Sequence, residues 1–234
     1  MLFPHLKQLH VRVNSDISHL FVKMMKVNTS VTCVNLRGNF IGYEGAIALA
    51  ETLKVNSTVT VINLWSNAIG DTGSSALAEM LKVNSTVISI NLGQNYIEAE
   101  GSKALSEALK VNVVVATINL SQNCIGAVGA RALSEALIVN DTLTSINMSH
   151  NSIGDEGVRA LSETLKVNDV VKTINLRNNS IGAEGAIALS EALKVNDTVS
   201  IIDLSVNSIG IEGVRALAKV VKVNSNVTIK GVDL

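Results

Sequence analysis

Cysteine is scarce in this 234-residue chain, which has only Cys33 and Cys124. The two fall three units apart in the repeat described below, or roughly 14 Å at a strand spacing of about 4.8 Å, too far for a disulfide. A reducing, intracellular setting is therefore expected, with the chain in the cytoplasm or delivered into a host cytosol. Charge of one sign is lacking as well. Nineteen Lys and Arg face 20 Asp and Glu for a net charge of −1, so no basic stripe exists to neutralise nucleic-acid phosphates. No apolar run reaches the 18 residues of a membrane span, and the start, MLFPHLKQLH, contains no stretch resembling a secretion signal. The N-x-S/T triplets, such as Asn56-Ser57-Thr58, then read as turn chemistry and not as glycosylation sites.

Motifs of chemistry are missing too. The chain has no GxxxxGK phosphate loop, no HExxH, no CxxC and no GxSxG elbow. His5, His10 and His19 share one segment without a second ligand cluster, so neither a metal nor another cofactor is expected. His150 and Asp203 lie two units apart with no residue to orient them, which points away from acid–base catalysis and from an enzyme.

What the chain has is a period. Asn39 returns as Asn67, Asn95, Asn123, Asn151, Asn179 and Asn207, at intervals of 28 residues. Leu49 and Gly45 recur with the same step, to Leu217 and Gly213. A fixed period of this size marks a solenoid, one supersecondary unit stacked on copies of itself. Each unit reads strand, turn, helix, turn. In Val59–Leu64 the alternation sends Val59, Ile62 and Leu64 inward and Val61 and Asn63 outward. Asn67 is placed to bond backbone where the chain leaves the sheet, and Gly70 to take an unusual backbone angle, a rule that repeat three breaks with Glu98. Ala48, Leu49 and Leu53 form the inward stripe of the helix. Outer pairs Lys103/Glu107, Arg131/Glu135 and Arg159/Glu163 have the spacing of one helical turn. Asn56 stands where a left-handed cap belongs.

Strands about 4.8 Å apart and helices about 9 Å apart force a rotation of roughly 24° per repeat, bending the array into a half-horseshoe with the parallel sheet inside. Residues 1–30 read as an N-terminal cap, with a helix over about 15–26 that Ser15 or Asp16 opens. Its apolar face would be Ile17, Leu20, Phe21, Met24 and Met25, while Leu6, Leu9, Val11 and Val13 supply a covering strand. Residues 31–234 form the repeat domain: seven full units and a truncated last strand, in which Lys230 stands where an inward apolar residue is expected.

Units such as VTVINLWSNAIGDTGSSALAEMLKVNST (59–86) resemble leucine-rich repeats of the ribonuclease-inhibitor class. The resemblance covers about 31–234 and implies an α/β horseshoe with helices on its convex face. It also implies relatives in ribonuclease inhibitor, the Ran GTPase-activating protein, the sensing arms of immune receptors and effectors of intracellular bacteria. In these the repeats bind other proteins and do no chemistry on their own. The implied function is a protein-binding scaffold, monomeric by itself, that captures a protein partner on its concave face and inhibits or regulates an enzyme. A Ran-like GTPase activator, with Arg37 as its N-terminal arginine, or the arm of a larger sensor is the alternative. Two cysteines and one repeat length depart from ribonuclease inhibitor, and no acidic tail matches the GTPase activator.

Binding residues are sought where the repeats differ. The row Asn35, Asn63, Asn91, Asn119, Asn147, Asn175, Asp203 is nearly uniform, and is either an amide ladder or a neutral polar floor for a ligand. Neighbouring rows vary, offering Arg37, Gln94, Gln122, His150 and Arg177. Aromatics are 3% of the chain, yet Phe40, Tyr43, Trp65 and Tyr96 all fall in the first three repeats, off the core positions. Exposed Trp and Tyr beside Arg are common interface anchors. A second, outer patch joins Val113, Val128 and Ile138.

Overall fold

Every repeat opens with a triplet such as Val61-Ile62-Asn63, whose middle residue is buried while its neighbours face outward. That period of two makes a strand with one wet face. The computed structural model describes residues 7–10 and 23–233. Nine strands form one parallel sheet in chain order. They are β1 Gln8–His10, β2 Cys33–Asn35, β3 Val61–Asn63, β4 Ser89–Asn91, β5 Thr117–Asn119, β6 Ser145–Asn147, β7 Thr173–Asn175, β8 Ile201–Asp203 and β9 Thr228–Lys230. Register advances one repeat at a time, with Val61 opposite Ser89 and Ile62 opposite Ile90, so equivalent residues form straight rows across the sheet.

Parallel neighbours need a crossover, and each of β2–β8 is followed by a helix. These run Gly42–Leu53, Gly70–Leu81, Ala99–Leu109, Gly126–Leu137, Gly154–Leu165, Ala183–Leu193 and Gly210–Val223. Between the layers lies one continuous core, in which Val59, Ile62, Leu64, Ile69, Leu77 and Leu81 are all buried. A Cβ on Gly73 would stand 2.4 Å from Ile69 Cγ2 and 2.9 Å from Ala46 Cβ, so glycine sets how closely adjacent helices approach.

Two columns of buried asparagine hold the turns on either side of this core. Asn67 Nδ2 donates to Leu36 O and Leu64 O at 2.9 Å, and its Oδ1 accepts from Asn39 N at 3.0 Å. Asn95, Asn123, Asn151, Asn179 and Asn207 repeat this bonding to backbone of the preceding unit. The second column begins with Asn56, whose Nδ2 donates to Met25 O at 2.8 Å and whose Oδ1 accepts from Val59 N at 2.9 Å. Asn56 is not left-handed, contrary to the sequence reading. Its side chain satisfies the turn, so its backbone need not. Among the described residues, no buried side-chain nitrogen or oxygen lacks a partner.

Other expectations shift in detail. The helix stripe is Ala46, Leu49, Ala50 and Leu53, with Ala48 only half-buried. Expected one-turn pairs give way to others: Lys103 bonds Glu100 and Lys110 bonds Glu107, while Arg131 and Arg159 reach Glu156 and Glu184 of the following repeat. The Glu107 hydrogen bond raises the Lys110 pKa, but pairs this exposed add little stability. Lys230 faces outward in register with Asp203, and Ile229 takes the core position, because the last step is one residue short. Glu98 is extended as its departure implied, but so is Gly182. In both units an aspartate of the preceding repeat caps the turn, Asp71 accepting from Glu98 N and Asp155 from Gly182 N. At the start, β1 does extend the sheet through half-buried Leu9. Residues 23–27 are helical, with Met25 buried and Met24, expected inside, 39% exposed. The other cap residues named above (Leu6, Val11, Val13, Ser15, Asp16, Ile17, Leu20, Phe21) lie outside the described residues, as do His5 and His19.

Two mutational contrasts test this architecture by chemical denaturation. Leu120→Ala in the array's middle should cost about 2–5 kcal/mol, and Val232→Ala beyond β9 much less. Asn151→Ala, which takes one of two amide donors from each of the buried carbonyls of Leu120 and Met148 and removes the acceptor of buried Ile125 N, should cost more than about 2 kcal/mol. Asn119→Ala on the wet sheet face should cost less than half of that.

Candidate functional site on the open sheet face

The wet face of the sheet is built from residues one and three of each strand and the turn that follows. Asn63 Oδ1 accepts from Trp65 N at 3.1 Å, two residues on. Asn35, Asn91, Asn119, Asn147, Asn175 and Asp203 do the same in their own repeats. The uniform row is thus a series of local turns and not a ladder running from strand to strand. With each oxygen committed, the Nδ2 groups of Asn63, Asn91, Asn119, Asn147 and Asn175 have no partner among the described residues. Together they form a line of donors facing outward.

Beside this line sits a stack across three repeats. Arg37 Cζ lies 5.5 Å from the centroid of the Trp65 ring, a cation–π contact. On the other side, Trp65 lies over Gly93, where an added Cβ would meet its Cε3 at 2.3 Å. The absence of a side chain at 93 seats the indole against the sheet, leaving Trp65 half-buried and Arg37 exposed. The combination of a lone tryptophan with a glycine one repeat later was visible in the sequence, but their contact needed the register.

The remaining candidates disperse. Phe40 and Tyr96 are 87% and 69% exposed on the turn after the strand, both with left-handed backbone. Tyr43 sits in the first turn of helix Gly42–Leu53, its hydroxyl 3.4 Å from Glu44 Oε1, and is not part of the sheet. Gln94, Gln122 and His150 occupy one left-handed row, because the chain must swing around the buried asparagine that follows. His150 Nδ1 lies 2.7 Å from Asn178 Nδ2, a partner the sequence reading did not single out. Arg177 is exposed, and Asp203 is bonded to Ser205 N and Oγ. Charge is therefore confined to the ends, with Arg37 at one and Arg177, Asp203 and Lys230 at the other. The middle repeats present Ser, Thr, Asn and Gly, with Gln94, Gln122 and His150 on their turns. The outer patch divides: Val128 lies in the first turn of helix Gly126–Leu137, whereas Ile138 is that helix's C-cap, about 15 Å away.

Comparison with known proteins agrees with this architecture. The family model described as Leucine Rich repeat matches residues 27–50, 55–78, 112–134, 139–162 and 167–190. The chain belongs to the leucine-rich repeat family, whose arrays serve as protein-interaction scaffolds and are generally not catalysts. No curated protein matches it in sequence. Among solved structures, leiomodin-1 actin-binding site 2 aligns with TM-score 0.58 and 24% identity, over 67% of this chain and 91% of that one. The leucine-rich repeat-containing protein LegL7 from Legionella pneumophila aligns with TM-score 0.51 and 17% identity, over 93% and 79%. The tropomodulin C-terminal domain from Caenorhabditis elegans gives 0.48 and 15%, over 76% and 92%.

Because the chain has one tryptophan, its fluorescence reports the stack directly. Gly93→Val should lift the indole into solvent and shift its emission to the red, with far-UV circular dichroism unchanged. An unshifted spectrum would show that Trp65 does not rest on Gly93.

Proposed function

We propose that the chain is a non-catalytic scaffold that captures another protein on its concave sheet face, with the Arg37–Trp65 stack as anchor. The observation that carries this reading is the stack itself. A solenoid gains nothing in its core from an indole on the wet side, yet position 93 is cleared to seat one. The donors flanking it suit a partner rich in carbonyl and carboxylate oxygens, and the uncharged middle imposes no strong sign preference. An enzyme held with its active site against this face would be inhibited by simple coverage. The free thiols of Cys33 and Cys124 fit a reducing cytosol, the cell's own or a host's.

Capture from lysate on the immobilised chain gives a partner whose affinity can be measured. Trp65→Ala should weaken that affinity by at least about 2 kcal/mol, as loss of a central aromatic anchor does, with little change in thermal stability. Arg37→Ala should add a salt-dependent loss if the partner surface is acidic. If Trp65→Ala unfolds the protein while affinity per folded molecule holds, the indole is packing and the reading fails. Actin is the first defined partner to assay, since the leiomodin-1 fragment that shares the fold is an actin-binding site. Stimulated GTP hydrolysis by a Ran-like GTPase would favour an activator role instead.

A further inference from the structure

Where each helix gives way to the next strand, the loop Lys-Val-Asn turns its valine outward. Val55 follows the helix C-cap Lys54, and its equivalents run every 28 residues from Val27 to Val223. All eight are between 59% and 77% exposed. Beneath them the second asparagine column anchors each loop to the backbone of the preceding repeat, so the valines line up as an apolar row along one edge of the solenoid. Valines this exposed present on the order of 800 Å², about what each partner contributes to a standard-size interface.

We infer that this edge joins two copies of the chain through an isologous, antiparallel contact. Three observations on the edge select a second copy over other occupants. A stripe with the period of the solenoid is matched along its whole length only by another such array. Second, the flanking positions are polarised along the chain. Loops five to seven carry exposed Asp141, Asp169 and Asp197, where loops two to four carry Ser57, Ser85 and Val113. A two-fold axis crossing the edge between loops four and five lays each half over the other. It then brings the aspartates toward Lys110, Lys82 and Lys54, which each bond one glutamate at 2.6 Å and keep further N–H donors. Third, the two apolar departures from the loop pattern flank that axis. Val113 and Ile138 replace the Ser, Thr or Asp and the Lys of other loops, and are 69% and 56% exposed. At a two-fold axis a residue lies near its own copy, where like charges repel and apolar side chains attract. A desolvated apolar centre with a polar surround is the usual distribution of binding strength in an interface. An anionic lipid surface fits less well, because the aspartates of one half would repel it. The dimer leaves the sheet face open for the partner proposed above, and neither reading depends on the other.

Sedimentation velocity across a micromolar concentration series tests the inference. The wild-type chain should pass from monomer to dimer, and the double variant Val113→Ser/Ile138→Lys should associate at least about tenfold more weakly. Both substitutions install residues that sister loops already carry (Ser85, Lys166), so the fold is kept, which an unchanged thermal transition verifies. Asp169→Lys should also weaken association, and Val128→Ser at the opposite edge should not. A wild-type monomer throughout the series, or a dimer indifferent to the double variant, overturns the proposal. If such a monomer bound anionic vesicles, the stripe would belong to lipid.

Discussion

The structure depends on a problem of buried backbone. Each repeat turns twice between a strand of three residues and a helix, and both turns sit against the core, where unpaired amide and carbonyl groups are costly. Two asparagines per repeat solve it. A carboxamide offers donors and an acceptor on a short stem, so the Asn67 side chain bonds its own turn and the preceding unit, while its backbone N–H donates to Asn95 Oδ1 of the next. Only about three peptides per strand need then pair in the sheet, and the unit can stay at 28 residues. Bonds between repeats also make each turn's satisfaction conditional on its neighbour, which couples the array end to end.

The same constraint shapes the exposed surfaces. Around the buried asparagine the preceding residue is left-handed, even where it is Ser66 or Gln94, and in most repeats the following one is too, as at Ala68 and Tyr96. Those side chains are thereby thrust outward, producing rows free to vary without touching the core. At the opposite edge the second column fixes the Lys-Val-Asn loops and sets their valines in line. The sheet face with its Arg37–Trp65 stack and the valine edge are consequences of one solution, expressed at two ends of the unit.

Variation between repeats is confined by this frame. Where Asp71 and Asp155 replace the usual residue, their carboxylates cap the next turn, and Glu98 and Gly182 adopt extended backbone in place of the left-handed form. The substitution and its effect lie in different repeats. Interactions that cross the unit boundary recur in the Arg131–Glu156 and Arg159–Glu184 pairs. For these two arginines the stacking distance decides the partner, whereas the lysines pair within their own helix, as Lys103 with Glu100 and Lys110 with Glu107.

The sequence by itself determined the repeat, its strand-turn-helix order, the inward residues Val59, Ile62, Leu64, Ile69 and Leu77, and the bonding role of Asn67. These follow from periods of two and three to four read within one unit, where neighbours in space are neighbours in the chain. It also located Trp65 and Arg37 as residues outside the core. Only the tertiary structure decided that Trp65 rests on Gly93, that His150 meets Asn178, that Asn63 bonds its own repeat and that Lys230 leaves the core to Ile229. Each of these depends on register or on distance between stacked units, and sequence spacing within a unit carries no measure of either.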